Sequence, residues 1–251
     1  MENIAGFFEA LAAEYPRWNF IWLYDEVQAG RVLSGLYYTI WLSVACVIFS
    51  VIIGVFGAWA LGTKNRLLKA VVQGYIQFFR NTPPMVQLLF FFFALGQFTP
   101  SYSPDGWLEV PIISNVGWAI ISLSFFAGAF NIEIFRAGLE AVPDSTVEAS
   151  ESLGFTRTQT FSYVVFPLAL RICLPALNNN LVNLVKTTTQ AYAIAVPELL
   201  YESVSIWSDF PSAQNPTMLL LFISYIALVG VLVFGMNRWE RRLAIPGYGT
   251  T

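Results

Sequence analysis

Four polar residues in the carboxyl-terminal half of the chain have the types and spacing of a solute-binding helix face. Asn179, Asn183, Lys186 and Gln190 follow one another at intervals of four, three and four positions in a largely apolar stretch. An α-helix turns about 100° per residue, so this spacing puts all four side chains on one narrow face, here called the polar stripe. A lysine at the centre of a membrane helix costs about 2.5–3.5 kcal/mol on insertion scales and usually faces a bundle interior or a watery cavity. The stripe therefore predicts a solute path.

A structural role for the same residues stays open. The asparagines can join helices by hydrogen bonds, and Lys186 can pair with a buried acid such as Glu133. Arg80 either binds a carboxylate or extends its guanidinium to the membrane interface. The candidate path residues are Arg80, Thr82, Gln87, Glu133, Asn179, Asn183, Lys186, Thr187 and Gln190.

Several kinds of chemistry lack their residues in this sequence. The 251 residues include no histidine, the commonest general base and metal ligand at neutral pH. Cys46 and Cys173 lie far apart in apolar or membrane-edge sequence, so we expect both to be packing residues and expect no metal site. The Gly-x-x-x-x-Gly-Lys-Ser/Thr phosphate loop is also missing, so ATP cannot bind by that route. We therefore do not expect an enzyme.

The elements that must position the polar residues are membrane helices. The sequence is 56% hydrophobic and only 12% charged, roughly half the charged fraction of a soluble domain. The second apolar stretch is broken by Pro83 and Pro84, which predicts a helix pair meeting at a kink. The sequence predicts an all-α integral membrane protein with five transmembrane helices, at Ser34–Leu61, Lys69–Gly96, Val116–Leu139, Leu174–Pro197 and Thr217–Met236.

The basic residues predict the orientation of these spans. Loops rich in lysine and arginine stay in the cytoplasm. Such residues follow the first, third and fifth predicted spans, whereas acids dominate the opposite segments. The basic residues are Lys64, Arg66, Lys69, Arg136, Arg157, Arg171, Arg238, Arg241 and Arg242, and the opposing acids include Glu9, Glu14, Asp25, Glu26, Glu109, Glu198, Glu202 and Asp209. The amino terminus is therefore predicted outside and the carboxyl terminus in the cytoplasm.

The chain is predicted to have three parts. Residues 1–33 form a periplasmic amphipathic arm, because Ile4, Phe7, Phe8, Leu11 and Tyr15 recur at helical spacing. The arm lies on the membrane surface or packs on its own bundle, and both alternatives stay open. Residues 34–242 form a five-span transmembrane domain, with a polar loop at about 143–167, and residues 243–251 form a cytoplasmic tail.

The polar loop predicts a short soluble helix at the cytoplasmic surface. Pro143 gives an extended entry, and Ser145 with Glu148 forms a Ser-x-x-Glu capping box. Gly154 offers the left-handed conformation that ends a helix. A capped soluble helix between apolar spans suits docking against another protein better than it suits chemistry.

The segment from Glu148 to Pro167 resembles the Glu-Ala-Ala loop of bacterial ABC importer permeases. The family pattern is Glu-Ala-Ala, three residues, Gly, nine residues and Ile-x-Leu-Pro, and the matching residues here are Glu148, Ala149, Ser150, Gly154, Val164, Phe166 and Pro167. Ser150 replaces the second alanine. The resemblance implies a type I ABC importer permease whose coupling helix docks on an ATPase subunit. The coupling residues that it implies are Ser145, Glu148, Ala149, Glu151, Gly154 and Arg157.

Three further segments are similar to the polar amino acid permeases of the histidine, glutamine and glutamate uptake type: Tyr75–Leu88, Glu133 with Arg136–Gly138, and Leu184–Thr188. The resemblance implies an inner-membrane permease that pairs with itself or a near relative. Its implied partners are an ABC ATPase dimer, a periplasmic amino-acid-binding protein and membrane lipid, with no nucleic acid. No cofactor is expected on this chain, because ATP and Mg²⁺ would bind the ATPase subunit.

One departure from the family bears on the solute. Many relatives have an acid directly after the lysine that matches Lys186, whereas this chain has Thr187. The missing negative charge predicts a preference for acidic or neutral amino acids over arginine and lysine. The alternative function is an ion-coupled secondary transporter of amino acids, in which Lys186 and Glu133 relay charge.

Overall fold

The protein is almost wholly helical in a computed structural model that describes residues 2–15, 17–104, 106–107 and 109–243. Its α-helices are α1 Glu2–Glu14, α2 Glu26–Gly62, α3 Arg66–Arg80, α4 Pro84–Leu89, α5 Asn115–Glu140, α6 Asp144–Ser152, α7 Arg157–Thr160, α8 Phe166–Thr187, α9 Leu199–Asp209 and α10 Gln214–Leu243. Short 3₁₀ helices cover Ile21–Leu23, Gly96–Phe98, Thr188–Ile194 and Pro211–Ala213, and π-helical turns cover Phe90–Leu95 and Phe161–Val165. Strands β1 Ser101–Tyr102 and β2 Val110–Pro111 pair antiparallel. The all-α prediction is confirmed. Most of the predicted tail, 244–251, lies outside the described residues.

Four helical stretches within the described residues are long and apolar enough to cross a membrane: Glu26–Gly62, Asn115–Glu140, Arg157–Ile194 and Pro211–Leu243. The predicted second span is instead a helix pair, α3 and the shorter apolar stretch Pro84–Phe98. The chain leaves the helix between them because Pro83 disfavours helical geometry in the residue before it. The predicted kink is therefore confirmed.

The predicted start of the fourth span, Leu174, is wrong, because the helical stretch begins at Arg157. Arg171 and the asparagines lower the local hydropathy but do not interrupt backbone hydrogen bonding. Pro167 lacks the amide proton that an α-helix would use for a backbone hydrogen bond. The backbone shortly before it forms π-helical turns, at Phe161–Val165.

The described residues group into two compact units. The first contains the residues up to Cys46, together with Met85–Ser122 and Val185–Gly230. The second contains Val47–Pro84, Leu123–Leu184 and the residues from Val231 onward.

Glycines bring helices close together inside the second unit. A Cβ atom on Gly54 of α2 would lie 2.5 Å from the Cβ atom of Asn131 on α5. A Cβ atom on Gly57 would overlap the side chain of Ile132. The Asn131 side chain is fully buried, and its oxygen accepts a 2.8 Å hydrogen bond from Nδ2 of Asn180 on α8. Close apolar packing and one buried amide pair thus join α2, α5 and α8.

In the first unit, the segment after α1 is packed on the far end of α9. The Asn19 side-chain amide donates to the Ser212 hydroxyl at 3.1 Å, and Ile21 lies in one buried cluster with Ile206. The ring of Phe8 on α1 lies 5.3 Å from the ring of Phe20. The segment after α1 is thus attached to its own unit, and α1 contacts that segment through Phe8; the choice between the two alternatives for the amphipathic helix stays a prediction.

Candidate functional site

The polar stripe is an open helix face over three of its four residues. Asn179, Asn183 and Lys186 all lie on α8 and are exposed on the protomer. Gln190 lies in the following 3₁₀ helix, Thr188–Ile194, and is half-buried. The prediction of a single α-helical face is thus wrong for Gln190. A 3₁₀ helix turns about 120° per residue, so the α-helical spacing no longer holds beyond Thr187.

Threonine side chains mark the change of helix type. The Thr188 hydroxyl donates to the Val185 carbonyl at 2.7 Å, and the Thr189 hydroxyl donates to the Lys186 carbonyl at 2.9 Å. These bonds satisfy carbonyl groups at the end of α8, where the regular α-helical pattern stops.

The Lys186 ammonium group forms no ion pair within the part of the chain that the structure describes. The proposed alternative partner, Glu133, binds Arg136 at 2.9 Å and Arg80 at 3.6 Å. The carboxylate that the alternative interpretation offered to Lys186 is thus already in contact with two arginines of its own unit. An exposed lysine on an apolar helix, without a paired acid, is typical of a water-filled or solute-binding face.

Arg80 and Glu133 belong to a cluster of charges in the second unit. Arg136 also binds Glu140 at 2.9 Å, and the Arg80 guanidinium lies 5.3 Å from the centre of the Phe130 ring. The cluster has two positive and two negative groups. Arg80 is the loosely held member, because its contact with Glu133 is longer than a hydrogen bond and its side chain is 40% exposed. It can therefore also bind an incoming carboxylate.

The other predicted path residues differ in exposure. Thr82 is half-buried, and its hydroxyl donates to the Phe78 carbonyl at 2.8 Å. Gln87 on α4 is buried, and Thr187 at the end of α8 is half-buried. The oxygen Oε1 of Gln190 is buried, and no donor reaches it from the described residues. A buried acceptor without a donor is costly, so a donor supplied to the Gln190 oxygen from outside the described residues would be stabilising.

The predicted capping box of the polar loop is wrong. The helix α6 begins at Asp144, with the extended Pro143 as its N-cap and no side-chain capping bond. Ser145 already lies in the first helical turn, so it cannot act as the N-cap. The capping box is found one helix later, where Thr156 and Gln159 bond each other's backbone amides at the start of α7.

The predicted helix stop at Gly154 is confirmed. Gly154 has φ 87°, in the left-handed region. Its amide donates to the Glu151 carbonyl at 2.9 Å, and the Phe155 amide donates to the Ser150 carbonyl at 3.2 Å. These two bonds form the Schellman end of a helix. The turn leaves Leu153 79% exposed.

One side of α6 faces its own protein and the other is open. Ser150 is 5% exposed and lies in hydrogen-bond contact with Thr160 of α7. The remaining predicted coupling residues are exposed: Ser145, Glu148, Ala149, Glu151, Gly154 and Arg157. The exposed acids and Leu153 together form a surface suited to docking.

The sequence missed a tightly held connection in the first unit. The segment Ile194–Leu199, here called the link, joins the 3₁₀ helix of Gln190 to α9. Ala195 within it has φ 55° and ψ 37°, a left-handed conformation that is rare for alanine. The Asn115 side-chain amide donates to the carbonyl groups of Ile194 and Ala195. No local sequence pattern predicts this bond, because Asn115 is distant in the chain.

The link also contains a buried acid. Glu198 was predicted to be one of the outer acids, but it is only 1% exposed. Its carboxylate accepts hydrogen bonds from the amides of Leu200 and Tyr201 and from the Tyr225 hydroxyl, each at 2.9 Å. Burial raises the pKa of Glu198 to about 7, against the opposing effect of these hydrogen bonds. The sequence did contain one signal for the start of α9, since Pro197 lies directly before the N-cap acid Glu198.

Residues 50–244 match the sequence profile of the family described as binding-protein-dependent transport system inner membrane component. The chain belongs to this family. The predicted ABC importer permease, with its type I fold, is thereby confirmed. The permease is a membrane component and not an enzyme.

Two relatives and one solved structure are similar to the permease over most of its length. It is 32% identical over 220 residues to the histidine/lysine/arginine/ornithine transport system permease protein HisQ of Salmonella typhimurium, covering 84% of this chain and 94% of HisQ. It is 33% identical over 202 residues to the L-cystine transport system permease protein TcyB of Bacillus subtilis, covering 80% of each chain. A crystal structure of an amino acid ABC transporter with histidines superposes with a TM-score of 0.73 at 28% identity, covering 85% of this chain and 94% of that chain.

Proposed function

We propose that the permease passes a polar amino acid along the open face of α8, driven by ATP hydrolysis on a separate subunit. The permease is the membrane component of an amino acid ABC importer. The observation that carries the proposed path is Lys186, which is exposed on an apolar helix and forms no ion pair among the described residues. A charge in that position is stabilised by a watery path or by a solute carboxylate.

The proposed path residues would meet different groups of the solute. In the second unit, Arg80 would bind a solute carboxylate while Glu133 holds the arginine in place. In the first unit, Lys186 would attract a solute carboxylate, and the buried oxygen of Gln190 would accept a hydrogen bond from the solute's ammonium group. The remaining proposed path residues are Thr82, Gln87, Asn179, Asn183 and Thr187.

The proposed solute is an acidic or neutral amino acid in preference to a basic one. Lys186 repels a cationic side chain, and Thr187 provides no negative charge beside it. HisQ and TcyB are named for basic amino acids and for cystine, so this preference rests on the residues of the present chain.

The proposed coupling surface is the exposed side of α6 with the turn that follows it. Glu148 and Glu151 would contact basic groups of the ATPase, and Leu153 would fill an apolar pocket. Ser145, Ala149 and Arg157 would lie at the rim, and Gly154 would keep the turn in place. ATP and Mg²⁺ would bind the ATPase, so this chain would need no cofactor of its own. Closure of two ATPase subunits would move α6 and switch access to the path.

The proposed assembly contains two permease subunits, identical or closely related, two ATPase subunits and a periplasmic amino-acid-binding protein. The amino-terminal arm would lie outside with the binding protein, and the basic end of α10 would lie in the cytoplasm. Residues 34–242 would form the membrane domain, surrounded by lipid, and residues 243–251 would form a cytoplasmic tail.

Uptake by the reconstituted importer tests this function. The permease is purified with its ATPase, inserted into liposomes containing ATP, and supplied with the binding protein and a panel of radiolabelled amino acids. Uptake that requires both ATP and the binding protein, and that favours glutamate or glutamine over arginine and lysine, is expected. Uptake driven by an ion gradient without ATP would refute the mechanism, and preferred uptake of arginine would refute the solute preference alone.

A further inference from the structure

The link between the 3₁₀ helix and α9 is bonded to three other helices within the first unit. Asn115 of α5 donates to the carbonyls of Ile194, at 3.4 Å, and Ala195. Thr39 of α2 accepts a hydrogen bond from the Leu199 amide at 3.0 Å. Tyr225 of α10 donates to the Glu198 carboxylate at 2.9 Å. A short connection is thus fixed at both of its ends.

The conformation of the link requires this fixing. Alanine at φ 55° is strained, because its Cβ atom crowds the following carbonyl group. Ala195 keeps the left-handed conformation while Asn115 binds the carbonyls on either side of it. The Asn115 oxygen meanwhile accepts a 2.9 Å hydrogen bond from the Val116 amide, which holds the donor in place. Local strain of this kind persists only where the surrounding structure enforces it.

The other end of the link is held by a buried carboxylate. Oε1 of Glu198 accepts from the Tyr201 amide, and Oε2 accepts from the Leu200 amide and the Tyr225 hydroxyl. No cation pairs with Glu198 among the described residues. Serine or asparagine would cap α9 adequately, but neither would reach two amides and a third helix together. The acid therefore serves the attachment of the link as well as the helix start.

The residues that the link controls are those directly before it. The 3₁₀ helix Thr188–Ile194 carries Gln190, whose buried oxygen has no donor within the described residues. This helix is only seven residues long and continues α8, so its orientation depends on both of its ends, and the link holds the carboxyl-terminal one. A shift of the link would move the Gln190 carboxamide with it.

We propose that Asn115 and Glu198 are positioning residues for transport, which hold the link so that Gln190 presents its oxygen to the ammonium group of the amino acid. This inference rests on the proposed function. It concerns neither the binding protein nor the ATPase, so loss of either residue lowers the number of amino acids moved per ATP without lowering the ATPase rate.

A double-mutant cycle in the reconstituted importer tests the role of Asn115. Asn115→Asp keeps the size of the side chain and the bond to the Val116 amide but removes the donor. We expect Asn115→Asp and Gln190→Ala each to lower the amino acids transported per ATP at least fivefold, with the ATPase rate within twofold of the original. The Asn115→Asp/Gln190→Ala variant should equal Gln190→Ala alone, because Asn115 acts through Gln190. Multiplying effects would overturn the proposal.

A second comparison tests Glu198. Glu198→Gln retains an acceptor oxygen for the Tyr201 amide and can donate to the Tyr225 oxygen, but its nitrogen cannot accept from the Leu200 amide, so its transport per ATP should fall less than that of Glu198→Ala. Glu198→Ala should behave like Asn115→Asp. Equal losses in transport and ATPase rate for these variants would show a merely structural role and overturn the proposal. A wild-type importer that moves no amino acid with ATP would overturn the proposed function instead.

Discussion

The hydroxyl oxygens of Ser150 and Thr160 lie 2.9 Å apart, and this hydrogen bond joins α6 to α7. Both residues are almost fully buried, whereas most of their neighbours are exposed. The Ser150 oxygen also lies 2.8 Å from the Val147 carbonyl, so Ser150 donates to that carbonyl while Thr160 donates to Ser150. The serine that replaces the family's second alanine therefore has a structural role on the buried side of α6, beneath the proposed coupling surface.

Ser150→Ala should loosen α6 locally. The change removes one buried hydrogen bond and leaves the Thr160 hydroxyl without its acceptor, at a cost of about 1 kcal/mol. We expect amide hydrogen exchange in 145–153 to accelerate about fivefold, measured by mass spectrometry on the purified permease. Ser152→Ala is the matched control, because Ser152 is exposed and its hydroxyl donates to the Glu148 carbonyl within α6. Equal acceleration in the two variants would contradict this assignment.

Gly154→Val should uncouple ATP hydrolysis from transport. Valine is strongly disfavoured at φ 87°, so the Schellman turn and the exposed Leu153 would be displaced. We expect at least a tenfold loss of amino acids transported per ATP, with normal membrane insertion. Gly74→Val is the control, since Gly74 is helical and a Cβ atom there meets no other atom within 4 Å. Normal transport by Gly154→Val would refute the coupling role.

Lys186→Met should weaken the preference against basic amino acids. The change removes the positive charge from the open face of α8 and keeps most of the apolar length of the side chain. We expect the uptake ratio of glutamate to arginine to fall at least fivefold in competition assays with the reconstituted importer. Lys64→Met, in the exposed turn after α2, is the charge-matched control. An unchanged ratio would exclude Lys186 from solute selection.

The stability of the permease should depend on pH through Glu198. Its pKa rises from an ordinary value near 4.5 to about 7 in the folded protein, mainly because burial disfavours the charged carboxylate. The folded state therefore binds the proton more tightly than the unfolded state. The stabilisation is fully present below pH 4.5 and is lost as pH rises toward 7.

Thermal unfolding in detergent can isolate this contribution. Between pH 5 and 7 the melting temperature of the original protein should fall more steeply than that of Glu198→Gln, whose side chain has no proton to lose. Converted to the free energy of unfolding, the two proteins should differ in their pH dependence by about 1.4 kcal/mol per pH unit at most, the value for one proton. Glu202, one turn further along α9, also titrates with a raised pKa because of burial, so it is kept in both proteins. Parallel curves would contradict the assignment.

The sequence predicted features that depend on local chemistry. The proline pair marked the break between α3 and α4, and Gly154 marked the end of α6, because each restricts the backbone wherever it occurs. The apolar stretches marked the membrane helices because hydropathy, too, is a local property of the sequence.

Features that depend on distant contacts were missed. Glu198 was taken for a surface acid, because its burial depends on contacts with residues distant in the chain, among them Tyr225 and Thr39. Lys186 was offered Glu133 as a partner, but the arginines nearby compete for that carboxylate. The predicted position of Gln190 was wrong because the α-helix changes to a 3₁₀ helix after Thr187. The run of threonines at this point does not by itself reveal the change.

The helix α6 has only nine residues, bounded by Pro143 and a left-handed glycine. Isolated helices shorter than about 12–15 residues are marginal in water. A synthetic peptide with the sequence of 143–155 would therefore be mostly unfolded and would make a poor competitor for the docking site. A peptide inhibitor of this importer would need a chemical staple, because the shape of the segment is maintained by the folded permease and not by the segment itself.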